Sequence, residues 1–443
     1  MRSSIRVLPV LVLGILACGA ARAQSGGASG AWVQEQLPRL VSFYTELHAA
    51  PELSFHEKRT ASRLAGVLRD AGFAVTEGVG GTGVVGVLEN GPGPRLLLRT
   101  DTDALPIVEE TGLPYASAVR VRDDEGREVG VMHACGHDLH MSVWSGTARY
   151  LASHCEQWSG TLVCIAQPAE ERGAGARAML EDGLFERFGK PDFCLGLHAD
   201  PFAAAGTIRY TEGFALANVD SVDVLVRGRG GHGSTPQDTD DPVALAARIV
   251  VGLQTIVSRE LDPQEPGVVT VGSIHGGTKH NIIPDQVELQ LTVRSYSDET
   301  RALLLDGIAR VARHEALAAG FPEALVPVVH VREEEHTPAT YNDPAFVVRI
   351  NGAIGAAIGA GNLLPRRAVM GGEDFGRYGK AAGCPSYMFW LGSVPKERID
   401  ASELPGAAAL PGMHTAKYAP VPAPTLRTGV AAMTAAALEV LRR

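Results

Sequence analysis

The apolar runs of this chain follow two different periods, and the order of these periods constrains the fold more than any other feature. Short runs with apolar centres at 95–99 and 161–166 alternate with segments of helical spacing at 37–47, 61–68 and 141–151. Short buried strands that alternate with helices are typical of an α/β layer built on a parallel sheet. The sequence therefore predicts an α/β fold with a mostly parallel sheet and helices on both faces.

The middle of the chain has a different pattern. Apolar and polar residues alternate at 220–226, 268–273 and 287–294, and helical spacing occurs at 243–257 and 300–318. Alternation with a period of two indicates strands with one buried face. The order strand, helix, strand, strand, helix is typical of a small α+β domain with one open sheet face. We expect this domain to be inserted into the α/β layer.

A chain of 443 residues is longer than one core of ordinary size accommodates, so two domains are expected. The change of pattern near residue 215 and its return after residue 330 set the boundaries. We assign 24–214 and 331–443 to the larger α/β domain and 215–330 to the inserted domain.

The first residues predict a signal peptide that covers 1–23. Two arginines precede a short apolar run at 7–17, and Ala21-Arg22-Ala23 then offers a small-x-small cleavage site. The run is too short for a membrane anchor, and we expect no transmembrane segment in the mature chain. The protein is therefore expected to be periplasmic or secreted. An alternative is lipid attachment at Cys18, because the residues before it loosely resemble a lipoprotein cleavage box.

Charge and cysteine content exclude some classes of protein. The net charge of -10 argues against a nucleic-acid partner, which would require a basic face. Removing the leader takes Cys18 from the six cysteines and leaves an odd number, which is sparse for a disulfide scaffold. Cys155, Cys164 and Cys194 lie in or beside apolar stretches, as buried small hydrophobic residues do.

The densest polar cluster is the segment 133–140, HACGHDLH, which follows a strand ending near Asp101 and Asp103. Histidine, cysteine and aspartate together have the composition of a metal site, and strand ends are where α/β proteins place their sites. Cys135 and His137 are two residues apart, so both would point the same way from an extended segment. The alternative is a redox thiol beside core histidines.

Four further polar segments carry candidate ligands. They are 168–171 (PAEE), 196–198 (GLH), 372–374 (GED) and 412–414 (GMH). Adjacent glutamates point in different directions, so one member of the PAEE pair can bind metal while the other carries a proton. Each segment alone is equally typical of a solvated surface, an ordinary turn or a structural histidine.

Taken together, these segments resemble the metallo-amidohydrolase branch of the aminoacylase and carboxypeptidase-G-like peptidases. That branch includes hippurate hydrolases and plant auxin-conjugate hydrolases. The resemblance extends from about residue 40 to the C-terminus, and its most specific match is 133–138, HACGHD. The segments 50–54 and 101–106 also match, in the order of the family.

The resemblance implies a role for each matching residue. The implied ligands of two divalent ions per subunit, either zinc, manganese, cobalt or nickel, are Cys135, His137, Glu171, His198 and His414. Cys135 would bridge the two ions as a thiolate. Glu170 would act as general acid and base, and Asp103 would support the ligands from behind. The larger domain is thus expected to be the metal-binding catalytic domain.

The resemblance extends to the inserted domain, which it implies is a lid and dimerisation domain of a homodimer. The loop 229–236 resembles the lid loop of the family, in which the residue matching His232 reaches the active site of the partner subunit and helps to bind the reacting carbonyl. From the loop alone, a turn histidine in a glycine-rich loop is the preferred interpretation of His232. Asn281 falls in a substrate-contacting segment. Arg294 would bind a substrate carboxylate in bidentate fashion, or alternatively form a salt bridge at a strand end.

These parts imply hydrolysis of the amide bond of an N-acyl amino acid or a small peptide. Metal-activated water would attack the amide carbonyl, and Glu170 would accept its proton. One alternative is a dipeptidase or carboxypeptidase that uses the same centre. A second alternative, from another class of protein, is an exported binding protein that has kept the fold and lost catalysis.

Overall fold

The computed structural model describes residues 28–442. The predicted signal peptide, including Cys18, lies outside the described residues. The helices are α1 (Ala28–His48), α2 (Lys58–Asp70), α3 (His137–Ser153), α4 (Gly175–Glu181), α5 (Leu184–Phe188), α6 (Pro242–Thr255), α7 (Asp298–Ala318), α8 (Pro344–Ile358), α9 (Gly376–Ala382), α10 (Lys396–Ser402) and α11 (Pro422–Val440).

The strands belong to two main sheets and three short ribbons. They are β1 (Ala74–Val79), β2 (Gly83–Asn90), β3 (Arg95–Asp101), β4 (Arg120–Arg122), β5 (Glu128–Gly130), β6 (Gly160–Gln167), β7 (Phe193–Ala204), β8 (Ile208–Tyr210), β9 (Gly213–Leu216), β10 (Asn218–Arg227), β11 (Gly231–His232), β12 (Gly267–His275), β13 (Ile282–Ile283), β14 (Gln286–Ser295), β15 (Val328–Val331), β16 (Thr340–Asn342), β17 (Leu363–Pro365) and β18 (Ser386–Val394).

The central sheet has the strand order β1-β2-β6-β3-β7-β18-β8-β17. Its middle strands β6, β3, β7 and β18 are mutually parallel, and antiparallel pairs occur towards both edges. Every residue of β18 is buried, because helices cover both faces of the sheet. Helices α1, α2, α3, α8 and α11 pack on one face, and α4, α5 and α9 pack on the other. The predicted α/β fold class is confirmed.

The second sheet has the antiparallel order β12-β14-β10-β15. Buried and more exposed residues alternate along β10 and β14, which explains the period of two in the sequence. The buried face packs against α6 and α7 in a separate hydrophobic cluster that includes Val224, Ile249, Leu289 and Ile308. The predicted order of elements omits β15 and the β11-β13 ribbon, which are too short to display a period.

The chain enters and leaves the second sheet through one ribbon, because β9 pairs with β16. Asn218, the first residue of β10, fixes the two connections to each other. Its side chain donates to Tyr296 O at 3.0 Å and accepts from Ala339 N at 2.8 Å. This buried amide therefore helps to set how the second sheet meets the central one.

Candidate metal centre

A left-handed turn brings the two central residues of the HACGHD segment together. Gly136 has φ 82°, and His137 is the first residue of α3. The expected extended geometry is wrong: Cys135 and His137 converge because the chain turns between them. A Cβ on Gly136 would lie 3.2 Å from the Cβ of Ala199, so both the positive φ and this close approach favour glycine at the turn.

The Cys135 sulfur lies between two groups of candidate ligands. Its Sγ atom is 3.5 Å from His198 Nε2 and 3.3 Å from His414 Nε2. Cys135, His137 and His198 place their ligand atoms within 4.8 Å of one another, as do Cys135, Glu171 and His414. The structure thus brings together all five residues predicted as ligands, and one thiol is common to both groups.

Unpaired polar atoms at this cluster fit a cation. His137 Nε2 and Glu171 Oε1 are buried without a hydrogen-bond partner in the described chain. Buried polar atoms in native proteins are nearly always paired, so two orphaned atoms here indicate a missing partner. Burial, together with Glu171 and Glu170, raises the pKa of the Cys135 thiol well above its ordinary value. A divalent cation would reverse this effect and favour the thiolate.

Backbone carbonyls orient two of the histidine rings. His137 Nδ1 lies 2.8 Å from Asp103 O, and His198 Nδ1 lies 2.8 Å from Ala199 O. A ring nitrogen that donates to a carbonyl leaves the other nitrogen, Nε2, as an acceptor that faces the cluster. His198 itself does not stand at the end of a strand. It lies within β7, which continues because β18 pairs with it beyond His198.

His140, the third histidine of the segment, has a different role. Its Nδ1 lies 2.7 Å from Asp101 Oδ1, and its Nε2 accepts from Ala199 N at 2.7 Å. Both ring nitrogens are therefore occupied by protein partners. His140 therefore connects β7 to the end of β3 through two hydrogen bonds.

Asp103 connects the histidine ligand to the glutamate pair. Its carboxylate accepts from Glu170 N at 3.1 Å, from Glu171 N at 3.0 Å and from Ser54 Oγ at 2.6 Å. Its backbone carbonyl contacts the His137 ring. Asp103 thus fixes the turn that carries both glutamates relative to His137.

The glutamates lie on a short 3₁₀ turn that follows β6. Ala169, just before it, has φ 47°, a conformation that costs energy for a residue with a Cβ. Glu57 holds it there, since its carboxylate accepts from Ala169 N at 2.8 Å. Burial, followed by the charge of Asp103, raises the pKa of Glu57 to about 7. Sequence reasoning misses Glu57, because no local pattern distinguishes it from a solvated glutamate.

Glu170 lies in a buried cluster of acids. Burial raises its pKa well above the ordinary value, and Glu373, Glu171 and Asp374 raise it further, while Arg99 opposes them. Arg99 is itself buried and forms ion pairs with Asp101 at 2.8 Å and Glu373 at 2.7 Å. Sequence reasoning also misses Arg99. The available indication is an arginine that directly follows three leucines in an apolar strand, since a buried arginine requires acidic partners.

His414 reaches the cluster from a loop. Its φ is 59°, and its side chain is 56 % exposed. Its backbone N donates to Ala134 O at 3.0 Å, and its Nε2 lies 3.4 Å from Glu171 Oε2. This hydrogen bond ties the loop of His414 to the HACGHD segment and places the imidazole ring of His414 beside the thiol of Cys135.

A cavity of about 1110 Å³ opens over the centre, between the central sheet and the second sheet. Cys135, Glu170, His198 and Arg294 all line it. Half-buried Arg294 donates to Met370 O at 2.8 Å. Among residues 28–442, no carboxylate lies within salt-bridge distance of Arg294, so the alternative of a strand-end salt bridge is not observed there.

His232 and Asn281 lie away from this cavity wall. His232 is exposed in β11, where its Nδ1 is 2.6 Å from Ser234 Oγ. Asn281 precedes β13, and its carbonyl accepts from Gly233 N at 2.9 Å. Within one chain, these two predicted residues contact each other's loop and do not join the centre.

The known proteins that this chain resembles in sequence are consistent with a metal centre at this position. Residues 97–410 match the family described as Peptidase family M20/M25/M40. Hippurate hydrolase of Campylobacter jejuni is 38% identical over 346 residues, which are 78% of this chain and 85% of that protein. Thermostable carboxypeptidase 1 of Saccharolobus solfataricus is 35% identical over 361 residues, or 80% of this chain and 86% of that protein.

A solved structure resembles the whole arrangement. The Bacillus subtilis YXEP protein, described as a dinuclear metal binding peptidase from the M20 family, superposes with a TM-score of 0.73 at 30% identity and covers 92% of this chain and 99% of that chain. Fold and site define a metal-dependent hydrolase that acts on amide or peptide bonds. The chain belongs to peptidase family M20/M25/M40, in the amidohydrolase branch that contains hippurate hydrolase.

Proposed function

We propose that this protein hydrolyses the amide bond of N-acyl amino acids at a two-metal centre, with Glu170 as the general base. The observation that carries the proposal is the position of Cys135, which is common to two candidate ligand groups, while the buried Glu170 lies beside both. A thiolate shared by two ligand groups suits a bridging ligand, and the other glutamate of the pair belongs to one of those groups.

The donor set suits two divalent ions, whether zinc, manganese, cobalt or nickel. When bound, such ions polarise the amide carbonyl and lower the pKa of water. His137 and His198 would hold one ion, Glu171 and His414 the other, and Cys135 both.

Glu170 moves the proton in this proposal. It accepts the proton of the attacking water and later delivers it to the departing amine. Its Oε2 atom lies 3.7 Å from His137 Nε2, within reach of the reacting atoms. Glu373 and Asp374 raise the proton affinity of Glu170, which suits a group that must hold a proton before it protonates the amine.

The cavity supports an N-acyl amino acid as the substrate. Phe55, Phe202, Leu216 and Trp390 give it an apolar wall, which suits an acyl group. Arg294 offers a guanidinium without an acidic partner in the described chain, which suits the free carboxylate of the amino acid. The acyl group and the carboxylate would then lie on either side of the metals.

We further propose that the enzyme is a homodimer in which His232 and Asn281 complete the site of the partner. Strand β12 is an edge of the second sheet, so its backbone can pair with a second copy. Ile274 on β12 is 54% exposed, so this edge strand also offers a partner an apolar side chain. The exposed position of His232 suits a residue that stabilises the oxyanion in trans.

The experiment is a substrate panel for the metal-loaded mature protein. N-acetyl and N-benzoyl amino acids, matching dipeptides, and N-acyl amino acid amides without a free carboxylate are compared by amine release. We expect turnover of the N-acyl amino acids, loss of turnover on chelation, and weak turnover of the amides. Preference for dipeptides would support the peptidase alternative. Tight substrate binding without turnover would support an exported binding protein.

A further inference from the structure

Two cysteines meet at the opposite end of the central sheet from the metal centre. The Sγ atoms of Cys194 and Cys384 are 3.7 Å apart. Cys194 is the second residue of β7, and Cys384 lies in the turn between α9 and β18. Cys194 N donates to Pro385 O at 3.0 Å, so paired backbone holds the two residues side by side.

We propose that Cys194 and Cys384 form a thiol–disulfide exchange site, which a low-molecular-weight disulfide oxidises to an intramolecular disulfide. Neither residue contacts the candidate metal ligands, and neither has a role in the proposed hydrolysis. A disulfide requires an S–S distance of about 2.05 Å, so the two sulfur atoms have to close only the gap that remains.

Access to the pair is asymmetric. Cys194 is fully buried. Cys384 is partly buried and lines a cavity of about 560 Å³, together with Phe214, Tyr341 and Lys380. Hydrogen bonding from Cys194 lowers the pKa of Cys384, whereas burial raises the pKa of Cys194. Cys384 is therefore the attacking thiolate, and Cys194 resolves the intermediate.

The exchange balances in two steps. The Cys384 thiolate attacks one sulfur of the small disulfide, whose S–S bond breaks and releases one thiolate. This thiolate takes the proton of Cys194, and the Cys194 sulfur then attacks Cys384 Sγ and expels the second small thiolate, which takes up the proton that Cys384 released when it ionised. The two protein thiols are oxidised, and the small disulfide is reduced to two thiols.

The new bond would stabilise the fold without disturbing the metal centre. Cys194 and His198 lie on the same strand, separated by about 13 Å at about 3.3 Å per residue. The linked residues are 190 positions apart, and the loop between them contains the whole second sheet. Closing a long loop restricts the unfolded chain and raises stability.

The test uses the metal-loaded full-length mature protein and oxidised glutathione. After treatment, remaining thiols are alkylated with iodoacetamide, and peptides are mapped by mass spectrometry. We expect a linked pair of peptides that contain Cys194 and Cys384, a thermal midpoint raised by a few degrees, and unchanged turnover. Cys384→Ala should lose the link and the rise in midpoint. Cys164→Ala, which removes a buried cysteine of β6, should retain both.

Three outcomes would overturn the proposal. The first is that Cys194 and Cys384 both remain thiols, and are both alkylated, when the solution is oxidising enough to convert added dithiothreitol fully to its disulfide. The second is a reaction that stops at a glutathione adduct on Cys384. The third is a rise in midpoint that persists in Cys384→Ala. Peptide mapping of the unsubstituted protein decides the first two, so the test does not depend on the folding of a variant.

Discussion

The metal centre and the β11-β13 ribbon differ in how their polar side chains are held. In the centre, His137 and His198 each have one ring nitrogen fixed by a backbone carbonyl, and the other faces the Cys135 thiol. In the ribbon, the exposed ring of His232 forms hydrogen bonds within residues 28–442 only with the side chain and backbone of Ser234, two residues further along. All five candidate ligands meet within one chain, whereas the role proposed for His232 requires a second chain.

This difference sets the expected size of mutational effects. A ligand removed from the centre leaves buried polar atoms without a partner, and the surrounding structure offers no replacement. A residue removed from the ribbon should leave the chain and its metals intact, and should affect turnover only in the assembled enzyme.

Cys135→Ala should lose metal and activity together. Cys135 is the one residue common to both candidate ligand groups, so its removal should abolish binding of both ions and lower turnover by about a thousandfold or more. Metal content and amine release are measured on the same preparation. Cys155→Ala, outside the centre, is the control and should retain both properties. A Cys135→Ala protein with normal activity would contradict the bridging role.

His232→Ala should retain its metals and still lose turnover by about a hundredfold, if His232 stabilises the oxyanion in the partner's site. Mixed with inactive Glu170→Gln protein under conditions of subunit exchange, it should regain activity. Each mixed dimer would contain one site with an intact Glu170 and an intact His232 from the other chain. A mixture that exchanges subunits and stays inactive would exclude action in trans, and a fully active monomer would exclude the dimer.

His48→Gln tests whether the contacts of His48 with Asp138 and Glu109 stabilise the segment that carries the candidate ligand His137. Buried His48 contacts Asp138 at 2.6 Å and Glu109 at 3.1 Å, and Asp138 follows the ligand His137. Burial opposes the charge on His48, but the two carboxylates outweigh it and raise the pKa of His48 from 6.5 to about 9. At about 1.4 kcal/mol per pH unit, this corresponds to roughly 3 kcal/mol of stability.

The sign of the pH dependence follows from the raised pKa. Stability from His48 is fully present below pH 6.5 and is lost as the pH rises through about 9. The gap in unfolding free energy between unsubstituted protein and His48→Gln should therefore be largest near pH 6 and narrow by about pH 10. Urea unfolding measures it. His56→Gln, at an exposed pair with Asp124, is the control. An equal difference in unfolding free energy at pH 6 and pH 10 would contradict the raised pKa of His48.

Glu57→Ala should have the smallest effect, a loss of turnover of about tenfold. Without the carboxylate that accepts from Ala169 N, the strained turn can relax and displace Glu170. Glu57→Gln keeps an acceptor oxygen and should restore most of kcat, while KM should change little in either variant. Equal losses in the two variants would show that Glu57 does not act through this hydrogen bond.

The local pattern of apolar and polar residues predicts much of this fold. The helical spacing at 300–318 and the alternation at 287–294 correspond to α7 and β14, because one buried face imposes a period on the sequence. The length of β7 and the position of His198 within it depend on β18, which lies far along the chain. No local pattern contains that information.

The residues of the candidate site also fall into those that local sequence identifies and those that depend on distant parts of the chain. Dense motifs identify candidate ligands such as Cys135 and His137, because cysteine and histidine at this spacing are rare outside metal or redox sites. Arg99 and Glu57 depend on long-range packing against acidic groups and a strained turn, so the sequence does not reveal them. The role proposed for His232 requires a second chain, so neither the sequence pattern nor a single chain can test it.

The central claim is that the two adjacent glutamates divide the chemistry, with Glu171 binding metal and Glu170 carrying the proton. Metal content and turnover are measured on the same samples of Glu170→Gln and Glu171→Gln. Glu170→Gln should retain its metal and substrate binding and lose about a hundredfold or more in kcat, whereas Glu171→Gln should lose metal as well as activity. Equal loss of metal in both variants, or full turnover in Glu170→Gln, would contradict the account.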